Sequence, residues 1–400
     1  MNPLTARDTP NLRHLAAALE IQRQGSINRA AEHVHLSQSA LTQALKKLEQ
    51  ALGFSLFKRA TTGLFPTAEG KIYLQRVERA FDQLYAIDKL IQHPRAGKKA
   101  PAQMQLTTTQ LRAFLHVVEE GSYTLAAHRL GLSQPTVHRA VKDMEVICGQ
   151  SFFQRSPSGV EPGWQARLIA RHINLFFFEL TQGLEEVDEH RGFWRGSLRI
   201  GSLPLSRTKM VPEAVVKLLT EFPDARVSII DGPYEEQLHG LLSGSLDLIV
   251  GALREPPPSP DIVQELMFHD PLHIVVRPGH KLATQPAVSA NELREFEWIA
   301  PKENAPAREA FSRFFTSKGL EPPDRIIECS SLVTIRAILL KSDRVALLPA
   351  RQVQVEVELG LLVVSPQSLL GTSRKIGLTY RRNYIPTHVQ KRFIELIKTV

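Results

Sequence analysis

The chain carries the same stretch twice. "LSQSALTQALKKLE" at residues 36–49 returns as "LSQPTVHRAVKDME" at residues 132–145. An ungapped shift of 96 residues also brings Gly25-Ser26 onto Gly121-Ser122, Ala30-Ala31 onto Ala126-Ala127, Glu49 onto Glu145, Phe57 onto Phe153, Arg59 onto Arg155 and Pro66 onto Pro162. Such a duplication limits the fold more than composition does, because both copies must reach one shape.

Each copy reads as short amphipathic helices. Leu12, Leu15, Leu19 and Ile21 share a face, Gly25-Ser26 supply a stop and a cap, and residues 27–33 form a second helix. After a break at 34–36, Ser37 is placed to cap a third helix with Leu41, Ala44, Leu45 and Leu48 on its inner side. That is a helix-turn-helix. The run "SLFKRATTGLFPT" at 55–67 alternates around Gly63 as a hairpin wing would. The expected winged units span residues 10–67 and 106–163.

The outer face of the third helix carries Ser37, Gln38, Ser39, Thr42, Gln43 and Lys46. In the second copy it carries Ser133, Gln134, Pro135, Thr136, His138, Arg139 and Lys142, with Pro135 in the first turn where its missing N–H costs nothing. Amides, hydroxyls and cations at a helix N-terminus suit base edges and phosphates in a major groove. A merely solvated face has similar composition, but the repetition of the face, with Arg59 and Arg155 in the wings behind, favours DNA reading.

Beyond each wing the copy continues. Tyr73, Val77, Ala80, Leu84, Ile87 and Ile91 follow the spacing of a pairing seam, and the shift turns them into Ile169, Ile173, Phe176, Leu180, Gly183 and Val187. Linker helices are therefore expected at 68–92 and 164–191, as dimerisation elements or packed on their own units. Gly183 weakens the second by about 1 kcal/mol relative to alanine, which tilts the main dimer seam toward the first. Between the copies, "HPRAGKKAPAQ" at 93–103 has the composition of a flexible linker.

From Gly196 onward short apolar runs such as "RVSIIDG", "LDLIVGAL" and "LHIVVRP" alternate with helical stretches, which predicts a parallel α/β sheet with ligand sites at strand carboxyl ends. The fold class expected is α+β multidomain: two all-α winged helix-turn-helix units, each with a linker helix, then a two-lobed α/β domain at 196–400.

Charge sharpens the functional reading. The net charge is +8, yet residues 1–100 hold 15 basic and 8 acidic side chains while 101–195 hold 9 and 10. Basic excess in the first copy is the footprint of a phosphate binder. Two cysteines, Cys148 and Cys329, offer no metal spacing. With no apolar span and no leader pattern at the N-terminus, a cytoplasmic protein without a membrane role is expected. No GxSxG, P-loop, HExxH or CxxC occurs, so neither an enzyme nor a resident cofactor is expected.

These residues together resemble the LysR-type transcriptional regulators. The "GSINRAAEHVHLSQSALTQALKKLEQALGFSLFKR" run, the linker helix and the C-terminal half, similar to type 2 periplasmic binding proteins, carry the match. "GSLPLSRTKMVPEAVVKLLTEFPDARVSIIDG" and "IECSSLVTIRAILLKSDRVALLP" look like the subgroup of galactose-binding-protein and protocatechuate regulators. The second reader is the chief departure from the family. The resemblance implies double-stranded DNA, a small effector, RNA polymerase and further copies of the chain, as dimer or tetramer, as partners. It places lobe I at 196–266 and 372–400, lobe II at 267–371, and the effector near Leu205, Ser206, Pro233, Ala252, Ser330, Ser331 and Leu332. Arg207, Lys209 and Arg308 are candidate cations for it. Where relatives often place a hydroxyl at the first cleft helix, this chain has Leu205, so the subgroup does not fix the effector. Three readings stay open: a regulator with two DNA readers, a regulator that uses one copy for assembly, and a ligand-binding protein or enzyme.

Overall fold

The computed structural model describes residues 10–34, 36–61, 63–91, 105–157 and 159–400. The 93–103 stretch expected as a linker lies outside the described residues. The chain divides into one unit ending at Gly196, with which Ser243–Ser245 group, and a second comprising Ser197–Leu242 and Leu246–Val400.

In the first unit, α1 (Leu12–Gln24), α2 (Ile27–His33), α3 (Gln38–Leu52), β1 (Phe57–Ala60), β2 (Gly63–Pro66) and α4 (Ala68–Leu90) are followed by their repeats. These are α5 (Thr108–Glu120), α6 (Tyr123–Leu130), α7 (Gln134–Cys148), β3 (Phe153–Ser156), β4 (Gly159–Pro162) and α8 (Trp164–His190). Every element of the second copy starts 96 residues after its counterpart. The wings make each unit a helical body with a two-stranded antiparallel sheet rather than a purely α one.

Repeated residues do repeated work. Gly25 and Gly121 end the first helices at φ 62° and 60°, a left-handed turn that side-chain-bearing residues resist. Their carbonyls accept from Leu64 N at 3.0 Å and Val160 N at 2.8 Å, which ties each wing to its first helix. Glu49 Oε1 accepts from Leu56 N at 2.6 Å and Phe57 N at 3.2 Å, and Glu145 Oε1 accepts from Phe152 N at 2.8 Å. The glutamate shared by both copies thus fixes the path from third helix to wing.

The linker helices depart from expectation. Tyr73, Val77, Ala80, Leu84, Ile87, Ile169, Ile173, Phe176 and Leu180 are all at most 1% exposed and, with the half-buried Ile91, belong to one apolar cluster. α4 and α8 run antiparallel: Arg76 pairs with Glu179 and Glu186, whereas Gln83 meets His172. The seam, expected either to pair between chains or to pack on its own unit, is filled by the other linker helix of the same chain. Apolar periodicity specifies a face to bury and says nothing about whose face covers it. Gly183 also reads differently in place, since an added Cβ would lie 2.9 Å from Arg76 Cβ and 3.0 Å from Tyr73 Cδ2. The glycine lets the helices approach.

The second unit contains β5 (Ser197–Ser202), α9 (Met210–Glu221), β6 (Arg226–Ile230), α10 (Tyr234–Ser243), β7 (Leu248–Ala252), β8 (Ile262–Asp270), β9 (Leu272–Val276), α11 (Ala290–Arg294), β10 (Trp298–Ala300) and α12 (Pro306–Thr316). It ends with β11 (Ile326–Glu328), α13 (Leu332–Leu339), β12 (Val345–Pro349), α14 (Gln354–Glu358), β13 (Val363–Ser368), β14 (Arg374–Arg381) and α15 (His388–Ile397). Two five-stranded sheets form the lobes, ordered β6-β5-β7-β14-β8 and β11-β10-β12-β9-β13. They are mixed rather than parallel: β14 runs against β7 and β8, and β9 against β12 and β13. Apolar runs do not encode strand direction, and the strands next to the lobe crossings reverse. The first sheet extends to Asp270, opposite Arg374, so the boundary at residue 266 falls four residues early. No described helix is long and apolar enough to cross a membrane.

Candidate nucleic-acid interface and effector cleft

The third helices of the two copies are presented alike. Ser37 caps α3 by accepting from Ala40 N at 3.2 Å, and Ser133 caps α7 by accepting from Thr136 N at 3.4 Å. Gln38, Ser39, Thr42, Gln43 and Lys46 are exposed on α3, with Arg59 exposed on β1. Gln134, Pro135, Thr136, His138, Arg139 and Lys142 are exposed on α7, with Arg155 on β3. Leu41, Leu45 and Leu48 are buried beneath α3, as Val137, Ala140, Val141 and Met144 are beneath α7. A face of donors and acceptors backed by a packed core suits insertion into a groove.

The copies differ in detail. The Thr42 hydroxyl donates to Gln38 O at 2.8 Å, while the Thr136 and Ser133 hydroxyls lie 2.7 Å apart. Lys142 Nζ sits 2.6 Å from Glu145 Oε2, so this cation is already engaged. The His138 ring lies 5.0 Å from that of Tyr123 and tilted to it by 60°, and burial with the Glu145 charge pushes the Tyr123 hydroxyl up to about 12.

A cleft of about 190 Å3 opens between the lobes of the second unit. An engineered cavity of about 150 Å3 holds benzene, so a small ring-sized molecule fits. Leu205, Pro233 and Ala252 line it from lobe I and Ser330 from lobe II. Ser206, Ser331 and Leu332 do not line it. The Ser206 hydroxyl donates inward, toward Leu203 O at 2.9 Å or Val250 O at 3.0 Å, and Ser331 caps α13. Nor do the three expected cations: Arg207 donates to Ser202 O, Lys209 to Gln354 Oε1, and Arg308 to Pro301 O and Glu328.

Two arginines missed in the sequence line the cleft instead, Arg254 and Arg374. Arg254 lies 4.1 Å over the Tyr234 ring and donates to Ala252 O, and burial lowers its pKa. Arg374 donates to Asp270 at 2.8 Å; burial opposes both charges, lowering the arginine and raising the aspartate. Both guanidiniums start so high that they keep their charge at neutral pH. Tyr234 Oη and Arg374 Nε are buried without a hydrogen-bond partner among the described residues. Asn304 lines the same cleft at φ 64°, a left-handed conformation that asparagine tolerates. Arg254, two residues past Ala252 in "LDLIVGALR", was the available signal. Arg374 was not legible, since only sheet pairing brings it there.

Comparison with known proteins agrees with this layout. The chain matches the LysR substrate binding domain over residues 191–400 and the bacterial regulatory helix-turn-helix protein of the lysR family twice, over 12–71 and 108–167. It is 30% identical over 375 residues to the HTH-type transcriptional regulator GalR of Pseudomonas putida, covering 94% of this chain and 93% of that one. To PcaQ of Agrobacterium fabrum it is 27% identical over 277 residues, 69% of this chain and 89% of the relative. Among solved structures, full-length OxyR of Pseudomonas aeruginosa aligns with a TM-score of 0.56 at 20% identity, covering 76% of this chain and 95% of its own. CbnR complexed with its target DNA aligns at 0.52 and 21%, covering 72% and 98%. Those structures are covered almost completely while a quarter of this chain is left over.

Proposed function

From the premise that this chain belongs to the LysR family of DNA-binding transcriptional regulators, we propose that it binds promoter DNA through both winged helix-turn-helix copies and responds to a small effector in the cleft between its lobes. The observation that carries this reading is the repeated exposed face: capped N-terminus, amides, hydroxyls and cations on α3 and again on α7, each with a wing arginine behind it. The effector carries an anionic group beside an apolar body, because Arg254 and Arg374 line a cleft whose apolar wall includes Leu205, Pro233, Ile335 and Leu348, with Glu235 and Glu303 also at its lining. In this reading further copies of the chain and RNA polymerase are its protein partners.

A footprint on DNA flanking its own gene tests the two readers. Gln38→Ala/Gln43→Ala and Gln134→Ala/Arg139→Ala are each expected to erase a different part of a long protected site. The charge balance favours a second reading, in which the second copy serves assembly. Residues 10–67 carry seven basic and three acidic side chains, residues 106–163 five of each. Loss of protection from the first pair alone would select it. Thermal shifts with small mono- and dicarboxylates, lost in Arg254→Ala, test the cleft.

A further inference from the structure

The two linker helices meet through unlike groups. Arg76 donates to Glu179 Oε2 at 2.8 Å and Glu186 Oε2 at 2.9 Å, and Arg79 donates to Glu179 Oε1 at 2.9 Å. The side chains of Arg76 and Glu179 are only 3% and 8% exposed. Burial opposes the charge on Arg76, yet the bonds and charges of Glu186 and Glu179 outweigh it and raise its pKa. Shifting both partners by 96 residues turns Arg76 into His172 and Glu179 into Gln83, and His172 Nδ1 indeed lies 3.0 Å from Gln83 Oε1. The same two positions meet at both ends of the seam, as a two-fold relation between the copies requires. One meeting is a buried ion cluster and the other an imidazole against an amide.

This asymmetry separates the intrachain pair from any pairing of like helices. Two α4 helices in the same register would set Arg76 and Tyr73 against Ile87, the counterpart of Gly183, where even one added Cβ lies within 3.0 Å. The guanidinium would face Gln83 and Leu90, the counterparts of Glu179 and Glu186. Two α8 helices would leave Glu179 against His172 and Leu175. Stranding a buried charge is far more unfavourable than the pair is favourable, so such a cluster chooses partners better than it adds stability.

We propose that the Arg76–Glu179–Glu186 cluster locks the two readers into one asymmetric pair within each chain, and that this pair engages a bipartite stretch of duplex DNA whose half-sites differ in sequence. The DNA part rests on the reading that both copies contact DNA. Like readers related by two-fold symmetry call for a palindrome. The amide of Gln38 returns as Gln134, but Gln43 on α3, suited to adenine, is replaced on α7 by the Arg139 guanidinium, suited to guanine.

The pairing is tested in the full chain carrying Gln83→Cys/His172→Cys and Cys329→Ser, joined with a short bis-maleimide. A cross-linked species of single-chain size is expected at every protein concentration. Glu69→Cys/Arg191→Cys, at the other end of the pair where the two charges lie 3.6 Å apart and partly exposed, repeats the test if the first variant does not fold. Covalent dimers that grow with concentration would overturn the lock. On DNA, duplexes rebuilt as symmetric repeats of either half-site should bind at least about tenfold more weakly than the natural unlike pair, the effect of one mismatched contact. Equal binding overturns the bipartite site. A single-chain cross-link with a footprint blind to Arg139→Ala also overturns that site, through failure of the two-reader reading. Interchain cross-links with both half-sites still sensitive overturn the lock and leave that reading standing.

Discussion

Compared copy against copy, the first unit shows what a duplication keeps and what it gives up. Caps, turns and wing attachment are retained at positions 96 residues apart: Ser37 and Ser133, Gly25 and Gly121, Glu49 and Glu145 serve the same backbone groups. The linker helices keep their apolar seam but trade its polar positions for unlike groups, and the second recognition helix ties its lysine to Glu145. Backbone geometry leaves few substitutes at a left-handed turn or a helix cap. A side chain at an interface need only suit whatever faces it, and in one chain the two faces are free to differ.

Breaking the comparison is easiest at its least symmetric point. Glu179→Ala removes the carboxylate that Arg76 and Arg79 share and leaves Arg76 with Glu186, so it should lower stability by about 1.5–3 kcal/mol, read by denaturant unfolding of the first unit's transition, whereas its counterpart Gln83→Ala should cost under about 1 kcal/mol. Comparable losses would show that the Arg76–Glu179 and His172–Gln83 ends are energetically alike. Next in size, Gly183→Ala should lower stability by about 1–3 kcal/mol through the contact with Arg76 and Tyr73. Helix propensity alone predicts the opposite sign, a gain of about 1 kcal/mol, so a raised melting temperature would refute close approach. Ser37→Ala and Ser133→Ala sharpen the retained side of the comparison. Each should cost about 1 kcal/mol, and a clear inequality would break the equivalence of the caps. The smallest expected effect is on salt dependence. Lys46→Ala should reduce the slope of log affinity against log salt by about 1, and Lys142→Ala by less because Glu145 already holds it. Equal reductions would mean that the Lys142–Glu145 pair opens on DNA.

Sequence made the repeated unit legible because its signals are local. A glycine that must turn left, a serine that must cap and an alternation that must form a wing all act within a few residues. Pairing of the linker helices was not legible, since the Tyr73 to Ile91 spacing states that a face is buried and leaves its partner open. Gly183 was misjudged for the same reason: propensity belongs to the helix, and its use belongs to Arg76 across the seam. In the cleft, Leu205, Pro233, Ala252 and Ser330 lie at strand ends and were found from there, while Ser206 and Ser331 proved to be spent on local bonds. Arg374 entered only through the pairing of β14 with β7 and β8 and its bond to Asp270.

The burial of α4 against α8 within one chain also changes what dilution does. Two readers on separate chains come apart as the protein becomes scarce, and occupancy of a paired site then falls with the square of concentration. Readers joined in one chain, as proposed for this one, have no such step between them, so occupancy by a single chain falls only in proportion. On the proposed function, and for a site filled by one chain, few copies would hold a promoter under control and the response to gene dosage would be graded rather than steep.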